Sequence, residues 1–368
     1  MQALILAGGE GTRLRPLTSD TPKPVVPLVG RPFISYMLEW LRGHDVDEVI
    51  MSCGFLAEAI RSVLGDGSRF GVKLRYVEEL RPLGTGGAAK YAQDLLDERF
   101  FMLNGDVLTD IDLTDQLRQH EQTKARATLA LVSVEDPSAY GLVRCNGDKS
   151  VKEFLEKPSQ EHGIATNHVS AGAYVLERDI LAEMAPAGNN ISIERDVFPK
   201  LVGRGLYGYE AVGYWLDIGT PARYMQATRD VLEGNVATTL GDELRRHGMR
   251  LLPSSGVRGR IAAPVVVGED CEIAASAVIG GLVVLGRGVK VGSGARIEGS
   301  VLLDGASIGA RTNVTDAIIG GDARIGERCQ IVGGAMVGSR ARIGNENVLA
   351  AGVRIFPEVS LPDGGIRF

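Results

Sequence analysis

Cysteine is rare in this sequence and nowhere clustered. Cys53, Cys145, Cys271 and Cys329 stand far apart and no Cys-x-x-Cys occurs, so neither a zinc site nor a disulfide framework is indicated, and buried free thiols are expected. No apolar run approaches the length of a membrane span. Gln2 to Ala7 is too short for a signal-peptide core and has no basic leader, which leads us to expect a cytoplasmic protein without a membrane partner. Positive charge is not in excess: the net charge is −6 with 23% charged residues, which speaks against a basic face for nucleic acid. There is no Gly-x-x-x-x-Gly-Lys-Ser/Thr, so a P-loop is unsupported. Gly9-Glu10-Gly11-Thr12-Arg13-Leu14 begins like a dinucleotide fingerprint, but Leu14 stands where the third glycine would allow close helix packing. Aromatic residues make up only 5%, whereas glycine reaches 48 residues.

The 368 residues are enough for two domains, each with its own core. The first is organised by its opening stretch, QALILAGGEGTRLRPLTSDTPKPVVP. Ala3 to Ala7 reads as a buried strand that empties into Gly8, Gly9 and Gly11, where backbone can approach a ligand without a Cβ in the way. Arg13 and Arg15 follow at once, and Lys23 is held between Pro22 and Pro24. Three cations beside free backbone N–H groups make a cradle for an anion, best read as phosphate.

Strand and helix patterns then alternate. Helices are expected at Phe33 to Leu41, Leu56 to Leu64 and Ala88 to Leu96, and strands at Glu48 to Cys53, Val72 to Val77 and Phe100 to Leu103. That order argues for a doubly wound α/β sheet, mostly parallel, with ligands beyond the carboxyl ends of its strands. The loops carrying Arg13, Gly84 and Asp106 should therefore converge. Strand-rich segments at 128–134, 141–144, 151–156 and 170–176 suit an added mixed part of the sheet, with one or two more strands in 207–215 and a closing helix at 221–232. We expect a first domain over 1–234, a connector over 235–256 with a short helix at 242–247, and a second domain over 257–368.

The second domain is a repeat. From Val267 to Ile355 sixteen aliphatic residues follow one another with thirteen of fifteen steps equal to six and two equal to five. Glycine follows many of them, as a turn at each corner would require. A period of six fits neither a helix nor a hairpin sandwich; it fits a parallel β-helix with three short strands per coil, about five coils in all. Phe356-Pro357 and Leu361-Pro362 should end strand pairing, leaving Ile366 and Phe368 to cap the coil or dock on another subunit.

Asn104-Gly105-Asp106 and Trp215-Leu216-Asp217 each end an apolar strand with a carboxylate, the oxygen donors that Mg²⁺ takes sparingly beside phosphate and water.

The run GGxGTRLxPLTxxxPKP resembles the signature of the sugar-1-phosphate nucleotidylyltransferases (NDP-sugar pyrophosphorylases). Further motifs follow in that family's order: PLGTGG, NGD, DPSAYG, FLEKP, NHVSAGAY, SIERDVFP and WLDIGTP. The combination of PLGTGG, SIERDVFP and WLDIGTP is most similar to the mannose-1-phosphate guanylyltransferases, although Gly86-Gly87 stands where Ala-Gly is expected. The resemblance implies a Rossmann-like nucleotidyltransferase domain of mixed sheet followed by a left-handed β-helix. It implies nucleotidyl transfer from an NTP to a sugar 1-phosphate with release of pyrophosphate, with GTP and mannose 1-phosphate favoured. The exposed ends and open flanks of a coil stack lead us to expect a homo-oligomer, dimer or tetramer, assembled through the β-helix. By the same resemblance Leu6, Gly8, Gly9, Gly11, Thr12, Gly84, Thr85 and Gly105 would receive the nucleotide. Arg13 would grip its β and γ phosphates, Lys23 and Lys157 the sugar phosphate, and Asp106 and Asp217 the Mg²⁺. Tyr140, Gly141, Glu156, Asn167, Gly172 and Glu194 would wall the sugar. Glu79, or else Glu78 beside it, would read the base, since a carboxylate only accepts and guanine presents two adjacent donors where uracil or thymine presents one. A glucose-1-phosphate uridylyl- or thymidylyltransferase and a regulatory subunit that binds NDP-sugar without turnover are the alternatives. An acyltransferase lacks its usual base, because no histidine follows His247.

Overall fold

Strand pairing begins with the apolar run at the amino terminus. The computed structural model describes residues 1–54, 56–157 and 166–367. Pro158 and Phe368, both singled out above, lie outside the described residues. The chain divides into two units, Met1–Glu10 with Ile34–Trp215, and Gly11–Phe33 with Leu216–Phe368.

In the first unit β1 (Gln2–Ala7), β2 (Glu48–Cys53), β3 (Lys73–Glu78) and β4 (Arg99–Asn104) are joined through α1 (Ile34–Gly43), α2 (Ala57–Leu64) and α3 (Gly84–Tyr91). Strand β1 pairs in parallel with both β2 and β4, and β2 with β3. Strands β1, β2 and β4 are buried on both faces, which is why they read as continuous apolar runs, whereas β3 buries only Leu74 and Val77. After α4 (Leu113–Thr123) come β5 (Ala127–Ser133), β6 (Gly141–Cys145), β7 (Val151–Glu156), β8 (His168–Glu177) and β9 (Leu206–Glu210). Strand β8 runs antiparallel to β4 and β5, and β6 antiparallel to β7, which extends the sheet to nine strands.

Helix α3 starts earlier than its apolar residues suggest. PLGTGG is its entry rather than a separate loop, and the helix is finished by Tyr91, with a 3₁₀ turn at Gln93–Leu95. Helix α4 has no counterpart among the expected elements. Its Asp112 cap accepts from the Asp115 N–H at 2.9 Å, and its buried face is largely polar, with Gln116, Gln119 and His120 inside.

In the second unit, helix Pro221–Glu233 is capped by the Thr220 hydroxyl and stopped by Gly234 in the left-handed region. The rest is the coil stack: three parallel sheets of seven, seven and six strands, consistent with a left-handed β-helix. Met249–Leu251 already pairs with Val265–Val267, so residues 249–256 take part in the first coil and the stack has more coils than the hexads from Val267 alone count. All sixteen aliphatic positions are buried in one core, with Cys271 and Cys329 filling small-residue positions two places earlier.

The glycines after the aliphatic residues serve a different purpose from the one the pattern suggests. A Cβ on Gly309 would sit 2.5 Å from the Gly326 backbone, and one on Gly338 2.6 Å from the Pro357 nitrogen. Coil-to-coil spacing leaves no room for a side chain there, while the left-handed corners are taken largely by other residues, such as Asp322, Arg340 and Glu346. At the end of the stack Ser360–Leu361 still pairs with Arg342–Ile343 despite the neighbouring prolines. Ile366 packs on the core, and its N–H donates to Asn347 Oδ1 at 2.8 Å, so it caps the coil.

Candidate active site

In the first unit the carboxyl ends of β1 to β4 form one rim. Gly8 and Gly54, which follow adjacent strands, touch: a Cβ on Gly54 would lie 3.0 Å from the Gly8 carbonyl oxygen. The loop after β4 lies against β1, with the Gly105 N–H donating to the Leu6 carbonyl at 2.9 Å. Glu79 completes the rim. Its carboxylate accepts from the Ser52 hydroxyl at 2.8 Å and the Leu83 N–H at 3.2 Å, and one oxygen lies 3.1 Å from where a Gly8 Cβ would be. Each carboxylate oxygen keeps a lone pair for a further donor. Beneath it the Cys53 thiol is pushed up to about 12 by burial and by Glu79, so it is no nucleophile.

The start of α3 is gripped by residues 188–194. Both the Gly86 and Gly87 N–H groups donate to the Ile191 carbonyl, at 2.9 and 3.1 Å, and the Ile191 N–H returns a bond to the Leu83 carbonyl at 2.8 Å. Thr85 donates to Glu194 at 2.6 Å and accepts from the Ile193 N–H at 2.9 Å. An alanine at position 86 would place its methyl 3.0 Å from Ile191 Cγ2 and 3.2 Å from the Ile193 nitrogen, a close fit.

The segment containing Glu194 ties this rim to the strands expected to hold sugar. Glu194 also accepts from Ser192 at 2.9 Å and from the buried Tyr174 hydroxyl at 3.4 Å. Gly141 faces Glu156 across β6 and β7, and a Cβ there would meet the Glu156 carboxylate at 2.8 Å and the Phe154 ring at 3.0 Å. The Glu156 carboxyl is pushed above its ordinary value by burial and by Glu194, with Lys157 and Arg195 opposing. Lys157 Nζ stands 3.7 Å from Glu156. Tyr140 packs edge-on against Trp215, centroids 5.3 Å apart, and the Trp215 N–H donates to the Ala171 carbonyl at 2.8 Å. Gly172, in the left-handed region, lets β8 bulge against Asn104. Asn167 is exposed, and its backbone carbonyl accepts from Val134. Of the expected residues, Leu6, Gly8, Glu79 and Gly105 are brought together on the rim, and Thr85, Gly141, Glu156, Lys157 and Glu194 form a connected network. Among the described residues no contact of this kind involves the Asn167 side chain. Gly9 is exposed beyond Gly8.

In the second unit Gly11, with φ near 63°, caps the 3₁₀ turn Thr12–Leu14, and its carbonyl accepts from Thr18 at 2.8 Å. Lys23 packs on Gly11, its Cβ 3.3 Å from where a glycine Cβ would be. Arg13 and Asp217 meet over Gly219, where a Cβ would be 2.8 Å from the Arg13 guanidinium and 3.0 Å from the Asp217 carboxylate. Asp217 also pairs with Arg223, one turn into the helix that follows, a residue the motifs did not point to. Helical spacing after Thr220 could have shown it, since Pro221 fixes the helix start.

Asp106 and Asp217 are half-buried carboxylates, hard oxygen donors. Among the described residues no three His, Cys, Asp or Glu side chains gather into a self-sufficient metal cage. Donors of this kind fit a cation that draws most of its ligands from substrate and water, as Mg²⁺ does. Among the described residues no helix is long and apolar enough to cross a membrane.

The Nucleotidyl transferase family model matches residues 2–234, and the GMPPB C-terminal domain model matches residues 261–363. A mannose-1-phosphate guanylyltransferase of Mycobacterium tuberculosis is 37% identical over 100% of this chain and 98% of its own length. A UTP–glucose-1-phosphate uridylyltransferase of Synechocystis is 32% identical, with 87% of each chain covered. The solved structure of HddC from Yersinia pseudotuberculosis complexed with GMP-PN is similar at a TM-score of 0.52 and 30% identity, covering 62% of this chain and 97% of that one.

Proposed function

The chain belongs to the nucleotidyl transferase family, and from that premise we propose that it transfers a guanylyl group from GTP to mannose 1-phosphate. The products are GDP-mannose and pyrophosphate. The observation that carries this reading is the end-to-end match to a guanylyltransferase, over a chain whose domain models cover both halves. An oxygen of the sugar phosphate attacks the α-phosphorus in line, the new O–P bond forms, and the bond to the β-phosphate oxygen breaks. No protein nucleophile is required.

Catalysis is then positioning and charge neutralisation. Leu6, Gly8, Gly9, Gly11, Thr12, Gly84, Thr85 and Gly105 receive the nucleotide by backbone approach. Arg13 binds the β and γ phosphates, and Lys23 and Lys157 the sugar phosphate. Glu156, Glu194, Tyr140, Gly141, Asn167 and Gly172 hold the sugar, with Glu156 accepting from its hydroxyls. Enzymes of this family generally use a divalent metal; here Asp106 and Asp217 would hold Mg²⁺, which supplies positive charge against the α-phosphate. For the base, the Glu79 carboxylate held by Ser52 and Leu83 keeps acceptor capacity suited to guanine's paired donors.

The Synechocystis relative favours a second reading, uridylyl transfer to glucose 1-phosphate. Pyrophosphate release measured over a grid of NTPs and sugar 1-phosphates decides between them. GTP with mannose 1-phosphate should give the highest kcat/KM. A preference for UTP or dTTP with glucose 1-phosphate would replace the guanylyl reading, and no release with any pair would remove the enzyme assignment.

A further inference from the structure

The residues expected to meet phosphate, Arg13 and Lys23, lie in Gly11–Phe33, and this segment belongs to the same unit as the β-helix. The coils hold it at two places. Arg354, on a late coil, donates to the backbone carbonyls of Arg13 at 3.4 Å and Arg15 at 3.1 Å. Asp20 accepts from the Ser339 hydroxyl at 2.5 Å and from Arg340 at 3.2 Å, while Glu358 holds Arg340 from the other side at 3.0 Å. The helix that carries Arg223 is tied as well, through Arg229 and Asp316 at 2.8 Å. Arg13 and Asp217, which meet over Gly219, are thus each on a piece of chain fastened to the solenoid.

These bonds are specific in a way that a packing surface is not. A guanidinium reaching the carbonyl of Arg13 itself fixes the peptide from which the Arg13 side chain departs, and the Asp20 clasp fixes the other end of the same turn. Both fastenings are exposed ion or hydrogen-bond contacts, contributing little to global stability. Their consequence is local: they narrow the conformations open to a short loop whose side chains must meet a polyanion.

We infer that Arg354 and Arg340 are positioning residues for the nucleotide triphosphate, acting through the Gly11–Phe33 segment, so that the β-helix sets the affinity of the phosphate cradle. This rests on the proposed role of Arg13 as a phosphate ligand.

The test compares Arg354→Ala, Arg340→Ala, Arg354→Lys and Arg13→Ala in the full chain, with the nucleotide and sugar 1-phosphate that the grid selects. Arg354→Ala and Arg340→Ala should each raise KM for the nucleotide about fivefold or more, the scale of losing a charge-assisted hydrogen bond. KM for the sugar 1-phosphate and the melting temperature should stay at the parent values, and Arg354→Lys should recover most of the nucleotide KM. In an Arg13→Ala background, Arg354→Ala should add less than twofold, because the Arg13 guanidinium through which it acts is then gone. If Arg13→Ala raises the nucleotide KM but Arg354→Ala and Arg340→Ala do not, the inference is overturned and the proposed function stands. A lower melting temperature with unchanged KM also overturns it, showing the contacts to be a brace only. If Arg13→Ala leaves nucleotide kinetics unchanged, the reading of Arg13 fails and the inference fails with it.

Discussion

Replacing Gly219 by alanine should separate chemistry from folding. Ordinary van der Waals contact begins near 3.4 Å, while the new methyl would stand 2.8 Å from the Arg13 guanidinium and 3.0 Å from the Asp217 carboxylate. The backbone at Gly219 is not in the left-handed region, so alanine adds no strain of its own. Both neighbours are ends of flexible side chains, and they must retreat by about 0.6 and 0.4 Å or rotate away. A full ångström of misplacement can cost about a hundredfold in rate, and loss of one preorganised electrostatic contact about 3 kcal/mol. A shift of roughly half that size in two charged groups should lower kcat about ten- to thirtyfold, or ~1.4–2 kcal/mol. Pyrophosphate release at saturating substrates gives kcat, and thermal melting should move little. Gly309→Ala is the complementary control, because its methyl meets backbone of the next coil at 2.5 Å and nothing there can rotate away. It should cost ~1–3 kcal/mol of stability with kcat per folded molecule preserved. Near-parental kcat in Gly219→Ala would refute the placing of Arg13 and Asp217 at the reacting phosphates.

Asp106→Asn and Asp217→Asn should each lower kcat about a hundredfold with the fold intact, and near-parental turnover at saturating Mg²⁺ would sink the metal assignment. Glu79→Gln should lower kcat/KM for GTP relative to UTP, and an unchanged ratio would show that Glu79 serves only Ser52 and Leu83. Because the folded chain holds the Glu156 proton to higher pH than the unfolded chain does, its ionisation costs stability once pH rises through the unfolded value of about 4.3. Glu156→Gln should therefore melt higher than the parent at pH 7, with the gain shrinking toward pH 4 and KM for the sugar 1-phosphate rising; a gain independent of pH would contradict this. Light scattering of the full chain should give a dimer or tetramer, and a monomer mass would remove the expected assembly through the β-helix.

Legibility in the sequence followed burial. The parallel strands β1, β2 and β4 announce themselves because both faces are apolar, and the coil stack because its aliphatic residues must point inward once every hexad. Helix α4 stays hidden because Gln116, Gln119 and His120 lie on its inner face, with Gln116 Nε2 donating to the Thr128 and Ala173 carbonyls, so hydrophobic periodicity has nothing to report. The start of α3 is masked by glycines whose reason lies a hundred residues away, at Asn189 and Ile191. The motifs include Gly141, Glu156 and Glu194, which lie in one network. They were silent on Arg223, Arg340 and Arg354, whose partners are set only by the fold.

The stacking of the coils also makes the solenoid a ruler. Its registers repeat every 17 or 18 residues, as between Val284 and Val301 or Met336 and Arg354, and close glycine contacts forbid intermediate spacings. Its length can therefore change only by whole coils. Excising one coil between Asp316 and Ser339 would carry Arg340 and Arg354 back by one strand spacing, about 4.8 Å, while Arg229 kept its partner. That exceeds the reach of a hydrogen bond, so such a deletion could preserve a well-formed solenoid and still release the turn that carries Arg13.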